Sequence, residues 1–306
     1  MNGIPKNQIR LTVAICTYNR CAYLRDTLSD LAKQQYSDRD VEILVVNNNS
    51  TDGTVEFLSG YVHEGNLGFR WVSEARQGLS YARNRALSES GAQYVLYIDD
   101  DVFLDEDFIE NWIQFIDANP TMTEAGGPIS VHFDDGQPQW FPMVLKQMLG
   151  HHHPYDQDQN YRSGDYPHGG NMLFHRESAL KLGGFNVDLG RSGTNLSGGE
   201  EKELNRRIIQ SGGIVRYNAA SGLRHRIGKD RLTKTYFKKQ ARGIGIGDRN
   251  SAISGTDAIR WMLLQSLKLS GSIIIAFGYL ISLRPAAAKA LIQFRLEVIK
   301  GYFSAE

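Results

Sequence analysis

The chain has only two cysteines among its 306 residues, Cys16 and Cys21. Two thiols are too few to frame a disulfide scaffold, and neither stands at zinc-site spacing from other ligands. A reducing compartment is expected. Net charge is absent as well, with 34 Lys+Arg against 34 Asp+Glu. No nucleic-acid-binding motif accompanies the charge, so no nucleic-acid partner is expected. Long apolar runs are scarce. Gly271–Leu283 carries no charge, yet it falls short of the roughly 20 residues of a comfortable membrane span. Near the start only Leu11–Ile15 is apolar, broken by Thr12, and no longer apolar region precedes it. That excludes a signal-peptide pattern and points to the cytoplasm. Repeats and low-complexity tracts are missing too.

The zero net charge hides an asymmetry. Residues 1–223 carry 19 Lys+Arg against 29 Asp+Glu, while residues 224–306 carry 15 against 5. A basic end suits an anionic partner: a membrane surface, a phosphate-bearing substrate, or the acidic body itself. The same end holds apolar segments at Trp261–Leu269 and Gly271–Leu283. An amphipathic stretch, Ala286–Phe303, follows, with Leu291, Phe294, Val298 and Tyr302 set against Lys289, Arg295 and Lys300. Such segments fit an interfacial anchor at the inner face of the cell membrane, and equally a helical pair packed on the main domain.

Residues 10–131 alternate short apolar runs with helical patterns. Strands are expected at Leu11–Cys16, Val41–Val46, Phe69–Val72, Tyr94–Ile98 and Glu124–Val131. Helices are expected at Tyr23–Gln34, Thr54–Tyr61, Ser80–Glu89 and Phe108–Ala118. This alternation predicts a parallel sheet covered on both faces, with ligands beyond the carboxyl ends of its strands. Three polar clusters fall at those ends: Thr17-Tyr18-Asn19-Arg20, Asn47–Asp52 and Asp99-Asp100-Asp101. Three adjacent carboxylates repel one another unless a cation sits among them, and all-oxygen ligands suit Mg²⁺ or Mn²⁺. A solvated acidic turn is the plain alternative. Residues 132–168 read as a long irregular insertion whose His151-His152-His153 fits a solvated loop. Helical patterns resume at Arg176–Leu182 and Lys202–Gln210.

Taken in order, these motifs resemble the family 2 glycosyltransferases. The likeness runs from about Leu11 to Asp248: Val13–Arg20, Val45–Thr54, Gly78–Asn84 with Ala82-Arg83-Asn84, the Asp-x-Asp element at Ile98–Asp101, and Gly198–Leu204. The resemblance implies an α/β GT-A (nucleotide-diphospho-sugar transferase) fold, a mostly parallel central sheet flanked by helices, with a C-terminal helical appendage. The implied GT-A domain is 1–250, divided into a nucleotide-binding half at about 10–131 and an acceptor half at about 132–250. Residues 251–306 form the helical, membrane-associating or domain-packed segment.

The resemblance also implies an inverting, metal-dependent, non-processive transferase, since neither a Gln-x-x-Arg-Trp motif nor several spans are present. Its donor would be a nucleotide-diphosphate sugar, with UDP expected, and its acceptor a glycan or lipid-linked hydroxyl. On this reading Asp99 and Asp101, with His225, hold Mn²⁺ or Mg²⁺. For His225 a structural or phosphate-facing role remains open. Thr17, Tyr18, Asn19, Arg20, Asn47, Asn48, Arg83, Asp99, Asp100, Gly170 and Asn171 surround the donor, Arg76 adds positive charge, and Tyr18 packs on the base. Asn47 and Asn48 depart from the Asp common there in the family. Glu201 is the implied general base with Glu200 beside it, two neighbouring carboxylates tending to raise one pKa. A sugar-nucleotide pyrophosphorylase is disfavoured because residues 16–20 contain no glycine. A non-catalytic nucleotide-sugar-binding protein is disfavoured by the retained carboxylates.

Overall fold

A computed structural model of the chain describes residues 9–36, 41–65, 67–191, 198–250 and 255–304. In chain order the elements are β1 (Leu11–Thr17), α1 (Cys21–Ala32), β2 (Val41–Asn47), α2 (Thr54–Gly60), β3 (Gly68–Ser73), α3 (Leu79–Glu89), β4 (Tyr94–Ile98), β5 (Val102–Leu104) and α4 (Phe108–Ala118). Then come β6 (Glu124–Gly126), β7 (Ile129–Phe133), a 3-10 turn (Met143–Leu149), β8 (Gln159–Asn160), β9 (Asn171–His175), α5 (Arg176–Lys181) and α6 (Glu200–Gln210). The chain continues through β10 (Val215–Tyr217), β11 (Leu223–Ile227), a second 3-10 turn (Lys229–Leu232), α7 (Lys234–Asn250), α8 (Gly255–Ile281) and α9 (Pro285–Phe303).

The chain divides into two compact units. The first comprises residues 1–130, 152–193 and 200–226, and the second 131–151, 194–199 and 227–306. The large sheet has the strand order β3-β2-β1-β4-β9-β6-β10-β8. β3, β2, β1 and β4 run parallel, β9 is antiparallel to both β4 and β6, and β6 pairs parallel with β10. The mostly parallel sheet expected from the alternation is present. Successive strands step outward from β1 to β2 and β3, whereas β4 returns to the other side of β1. The chain thus reverses direction between β1 and β4, where α/β sheets open a crevice for ligands.

Strand β1 is buried on both faces, which explains its continuous apolar run. Its alternate residues serve two cores. Val13 and Ile15 pack with Leu24, Leu28, Trp112 and Ile116 from α1 and α4. Ala14 packs on the other side with Ala82 and Ala86 of α3 and Leu204 and Ile208 of α6. Small alanines there let α3 and α6 lie close to the sheet, and these two helices carry Arg83, Glu200 and Glu201.

The expected strand Glu124–Val131 is two strands. β6 ends at Gly126, and Pro128 has no N–H to continue a ladder. Gly127 N–H instead donates to Asn171 O, and β7 enters a separate sheet ordered β5-β11-β7.

In the second unit the two apolar segments expected at Trp261–Leu269 and Gly271–Leu283 are one helix, α8. The serines that interrupt the hydropathy turn their hydroxyls onto carbonyls one turn back: Ser266 to Met262 O, Ser270 to Ser266 O and Ser272 to Lys268 O. The polar groups are satisfied within the helix, and the ladder continues through Gly271. Residues 258–281 are long and apolar enough to cross a membrane, contrary to the length expected from the charge-free run alone. Helix α7 has no counterpart among the expected helices because Gly243, Gly245 and Gly247 disfavour one. Packing accounts for Gly245: a Cβ there would strike Val298 O and Tyr302 N of α9, and one on Gly301 would strike Arg242 O. α7 packs on α9 within the second unit, and the expected boundary at 251 lies outside the described residues.

Candidate functional site

The carboxyl ends of β1, β2 and β4 adjoin, with Thr17 opposite Asn47 and Ile15 opposite Ile98. The three polar clusters leave the sheet here and are tied to one another. Thr17 Oγ donates to Asp100 Oδ2 at 2.6 Å, and Thr17 O accepts from Asn48 N–H. Asn19 adopts φ 54° and Asn49 φ 62°, left-handed conformations that asparagine tolerates better than most residues. In that conformation Asn19 Oδ1 accepts from the backbone N–H groups of Thr51 (2.6 Å) and Asp52 (3.3 Å). Asp52 caps the start of α2 through Thr54 and also accepts from Cys21 N–H.

Asn47 and Asn48 are both buried. Asn47 Oδ1 accepts from Ser50 N–H. Asn48 Nδ2 donates to Glu74 O (3.1 Å) and Arg76 O (2.7 Å), while its Oδ1 accepts from Gly78 N–H (2.9 Å). An ionised aspartate could accept here but donate nothing. The amide therefore serves a local purpose, fastening the β3–α3 loop to the end of β2. The sequence shows the departure from Asp but not this cause. Arg76 is spent on Glu74, at 2.8 Å through Nε and 2.9 Å through Nη2, and its guanidinium lies over the Tyr81 ring. Tyr18 remains 37% exposed at the mouth of the crevice, with its ring available to a flat partner.

The acidic run is not a solvated turn. Asp101 is 1% exposed, Asp100 is buried and Asp99 half-buried. Each carboxylate has its own surroundings. Asp100 accepts from Thr17 and pairs with Arg20 Nε at 3.1 Å. Burial pushes its carboxyl up to about 7 against the pull of Arg20, with Asp101 adding to the rise. Asp101 Oδ2 pairs with Arg20 Nη2 at 2.5 Å, and its Oδ1 faces His225 Nε2 at 3.2 Å. His225 lies on β11, paired with Val102 of β5. Arg226 N–H donates to Asp101 O (2.8 Å), which fixes β11 against the end of the acidic run.

One ligand atom each from Asp99, Asp101 and His225 lies within 4.8 Å of the others. Two hard oxygens and an imidazole nitrogen suit Mn²⁺ or Mg²⁺, and a Cβ on Gly170 would come within 2.9 Å of Asp99 Oδ2. The residues present fit such an ion. The middle carboxylate, Asp100, is outside this group and belongs to Thr17 and Arg20.

On the other side of β4, α3 and α6 bring together Arg83, Glu200 and Glu201. Arg83 Nη1 contacts Glu200 Oε1 at 2.8 Å, and Nη2 contacts Glu201 Oε1 at 3.0 Å. Burial pushes the Glu201 carboxyl up, but Arg83, His168 and the Gly169 N–H outweigh it and leave the group below its ordinary range. Burial and the Glu201 charge raise Glu200. Of the two neighbouring carboxylates, Glu200 is the raised one. Gly169 must be glycine, since a Cβ there would fall on Glu201 Oε1 and the Arg83 guanidinium. Asn171 is fully buried, and its amide donates to Ser221 O (2.7 Å) and Pro128 O (3.2 Å), a bracing role for two loops.

The structure adds residues that sequence reasoning missed. His168 stacks on His152 with ring centroids 3.8 Å apart, and His152 faces the Tyr161 hydroxyl at 3.1 Å. His152 thus leaves the solvated loop expected for the triple histidine. Glu124, on β6, accepts from Asn205 Nδ2 at 2.8 Å, and burial pushes its carboxyl up to about 8. No local pattern marks Glu124, because only the sheet pairing places it behind α6.

The family model described as Glycosyl transferase family 2 matches residues 12–183. A glucosyl-dolichyl phosphate glucuronosyltransferase of Haloferax volcanii is 24% identical over 223 residues, 72% of this chain and 70% of that protein. The poly(ribitol-phosphate) β-N-acetylglucosaminyltransferase TarS of Staphylococcus aureus is 29% identical over 111 residues, 36% of this chain and 19% of that protein. Among solved structures, the mannosyltransferase PcManGT of Pyrobaculum calidifontis, in complex with GDP-Man and Mn²⁺, superposes with a TM-score of 0.63 at 18% identity. That match covers 98% of this chain and 88% of the other.

Proposed function

The chain belongs to glycosyl transferase family 2 and has the GT-A fold, and from that premise we propose an inverting, metal-dependent transferase that moves one sugar per turnover. The donor is a nucleotide-diphosphate sugar, with UDP the first nucleotide to test and GDP the second, since the mannosyltransferase neighbour was solved with GDP-Man. The acceptor is a hydroxyl of a growing glycan or a lipid-linked sugar, as in surface-polysaccharide or glycolipid assembly. The carrying observation is the pairing, across β4, of an Asp99–Asp101–His225 cation cluster with a carboxylate held ionised at Glu201.

The donor's diphosphate faces the ends of β1, β2 and β4, with Thr17, Asn19, Asn47 and Asn48 setting the shape of the crevice and Tyr18 covering the base. Arg20 balances Asp100 and holds Asp101 in place. Asp99, Asp101 and His225 would hold Mn²⁺ or Mg²⁺, which when bound would supply Lewis-acid stabilisation for a departing diphosphate. Gly169 and Gly170 leave room for the Glu201, Arg83 and Asp99 side chains beside the sugar. Glu201 takes the proton of the acceptor hydroxyl as that oxygen bonds to the anomeric carbon. The bond from that carbon to the donor phosphate oxygen breaks with its electron pair going to the diphosphate, and the configuration inverts.

The decisive experiment is calorimetry of UDP and GDP binding with Mn²⁺ for the native chain and Asp101→Ala, followed by transfer assays with the preferred nucleotide's sugars. Asp101→Ala should lose Mn²⁺-dependent binding. Undiminished binding would remove Asp101 from the metal site.

The second unit supports a location at the inner face of the cell membrane. Only 17% of the apolar window of α8 is buried, and Leu263, Leu267, Ile274, Phe277, Ile281 and Leu283 are all exposed. Exposed Lys268 and Lys289 stand near this surface in sequence and complement anionic lipid. Flotation with anionic liposomes should carry the full chain upward at low salt. A chain that stays at the bottom at every salt concentration would assign the α8 face to another role.

A further inference from the structure

We propose that Arg83 is a positioning residue rather than a diphosphate ligand: one buried guanidinium is shared between Glu200 and Glu201, and its division between them sets how Glu201 meets the acceptor's proton. The proposal rests on the reading of Glu201 as the base.

Both terminal nitrogens of Arg83 are committed, Nη1 to Glu200 and Nη2 to Glu201, and the side chain is 3% exposed. Its surroundings are built to keep it there. Tyr97 OH donates to Arg83 O at 2.9 Å, which anchors that turn of α3, and the Phe185 ring lies 5.4 Å from the guanidinium. Glycines make room on both flanks: Gly169 beside Glu201, and Gly190, where a Cβ would approach the Glu200 carboxyl carbon at 3.1 Å. Glu200 Oε2 has no hydrogen-bond partner among the described residues.

A single cation facing two buried carboxylates leaves one negative charge uncompensated when both are ionised, so the two compete for Arg83. Burial and the Glu201 charge push Glu200 up, while Arg83, His168 and the Gly169 N–H hold Glu201 down, so Glu201 is the readier of the two to act as the base. Every neighbour bears on this balance. Glu200 and Glu201 come from α6 and Arg83 from α3. His168 and the Gly169 N–H face Glu201 from the loop before β9, and Glu124 lies behind from β6. Asp99 and Cys16 act on Arg83 from β4 and β1, and Arg191 acts on Glu200. Donor binding therefore leaves Arg83 where it is, and its charge is used on the acceptor side.

The test compares pH profiles of kcat/KM with calorimetric affinity for UDP plus Mn²⁺, or GDP plus Mn²⁺ if that nucleotide is preferred. Glu200→Gln gives Arg83 wholly to Glu201 and should move the acidic limb about one pH unit lower. Arg83→Gln should move it about one unit or more higher. Arg83→Lys keeps the charge but cannot fork to both oxygens, and should fall between native and Arg83→Gln. Nucleotide affinity should stay within about three-fold in all of them. Superimposable limbs, or a ten-fold loss of nucleotide affinity in Arg83→Lys without a shifted limb, would overturn the proposal. Should Arg83→Gln not fold, as its circular dichroism would show, Glu200→Gln and Arg83→Lys decide the matter alone. Glu201→Gln serves as the separate control. If it keeps transfer within a few-fold of native, the assignment of the base fails, and that failure is distinct from unshifted limbs in an enzyme that does depend on Glu201.

Discussion

Asn48→Asp exchanges one atom of the side chain and returns the residue type common in relatives, yet it should damage this protein. The native amide donates to Glu74 O at 3.1 Å and Arg76 O at 2.7 Å and accepts from Gly78 N–H at 2.9 Å. An ionised aspartate keeps the third contact and loses the first two. Each lost bond is worth about 1 kcal/mol, and a buried carboxylate oxygen facing two carbonyls adds roughly another 1–2 kcal/mol. A total near 3 kcal/mol should lower Tm by about 6–12 °C in a chain of this size. A proton on the new carboxyl restores one donor, so the deficit at pH 8 should exceed that at pH 4.5. The β3–α3 loop leads into the helix that carries Arg83, so transfer should fall along with stability. Differential scanning fluorimetry at the two pH values is the assay. An unchanged Tm at pH 8 would show that the amide donors do not hold this loop.

Glu124→Gln tests a buried carboxyl raised from its ordinary 4.5 to about 8. Its contribution to stability is fully present below about pH 4.5 and is lost as pH rises toward 8, so the glutamine variant should match native at pH 4.5 and gain Tm over it at pH 8; equal Tm values at pH 8 would contradict the burial argument. Gly245→Ala places a methyl group on Val298 O and Tyr302 N of α9 and should lower Tm by several degrees in thermal melts, with little change if α7 and α9 part readily.

Much of the first unit was legible because its signals are local. Four strands and four helices of residues 11–118 follow from apolar periodicity, with ends displaced by one or two residues. The parallel sheet follows from their alternation. The failures lie where a long-range contact outweighs a local preference. Gly243, Gly245 and Gly247 argue against a helix until α9 is known to approach Gly245 within a glycine's width. Ser266, Ser270 and Ser272 divide an apolar segment on paper until their hydroxyls are found bonded to the helix they occupy. Gly126-Gly127-Pro128 marks a break in the run, but assigning β6 and β7 to different sheets depends on pairing with distant segments such as Asn171, more than forty residues away.

The site divides along the same line. Carboxylates at a strand end announce themselves, because their repulsion demands a partner that any chemist can name. Their division of labour does not, since Asp100 is set apart by the Thr17 hydroxyl and Asp101 by His225, partners that the fold supplies. The asparagines show the converse. Asn48 stands where an acid is common, and its amide looks like a change of nucleotide preference when read as an isolated letter. In the fold it is a bracket for the β3–α3 loop. Arg83 joins the two lessons. Helix α3 carries it to the sheet beside the donor crevice, which invites a phosphate role, but α6 arrives with two carboxylates and takes up both nitrogens. Residue type gives the charge available at a site, while the contacts made by distant elements determine where that charge is used.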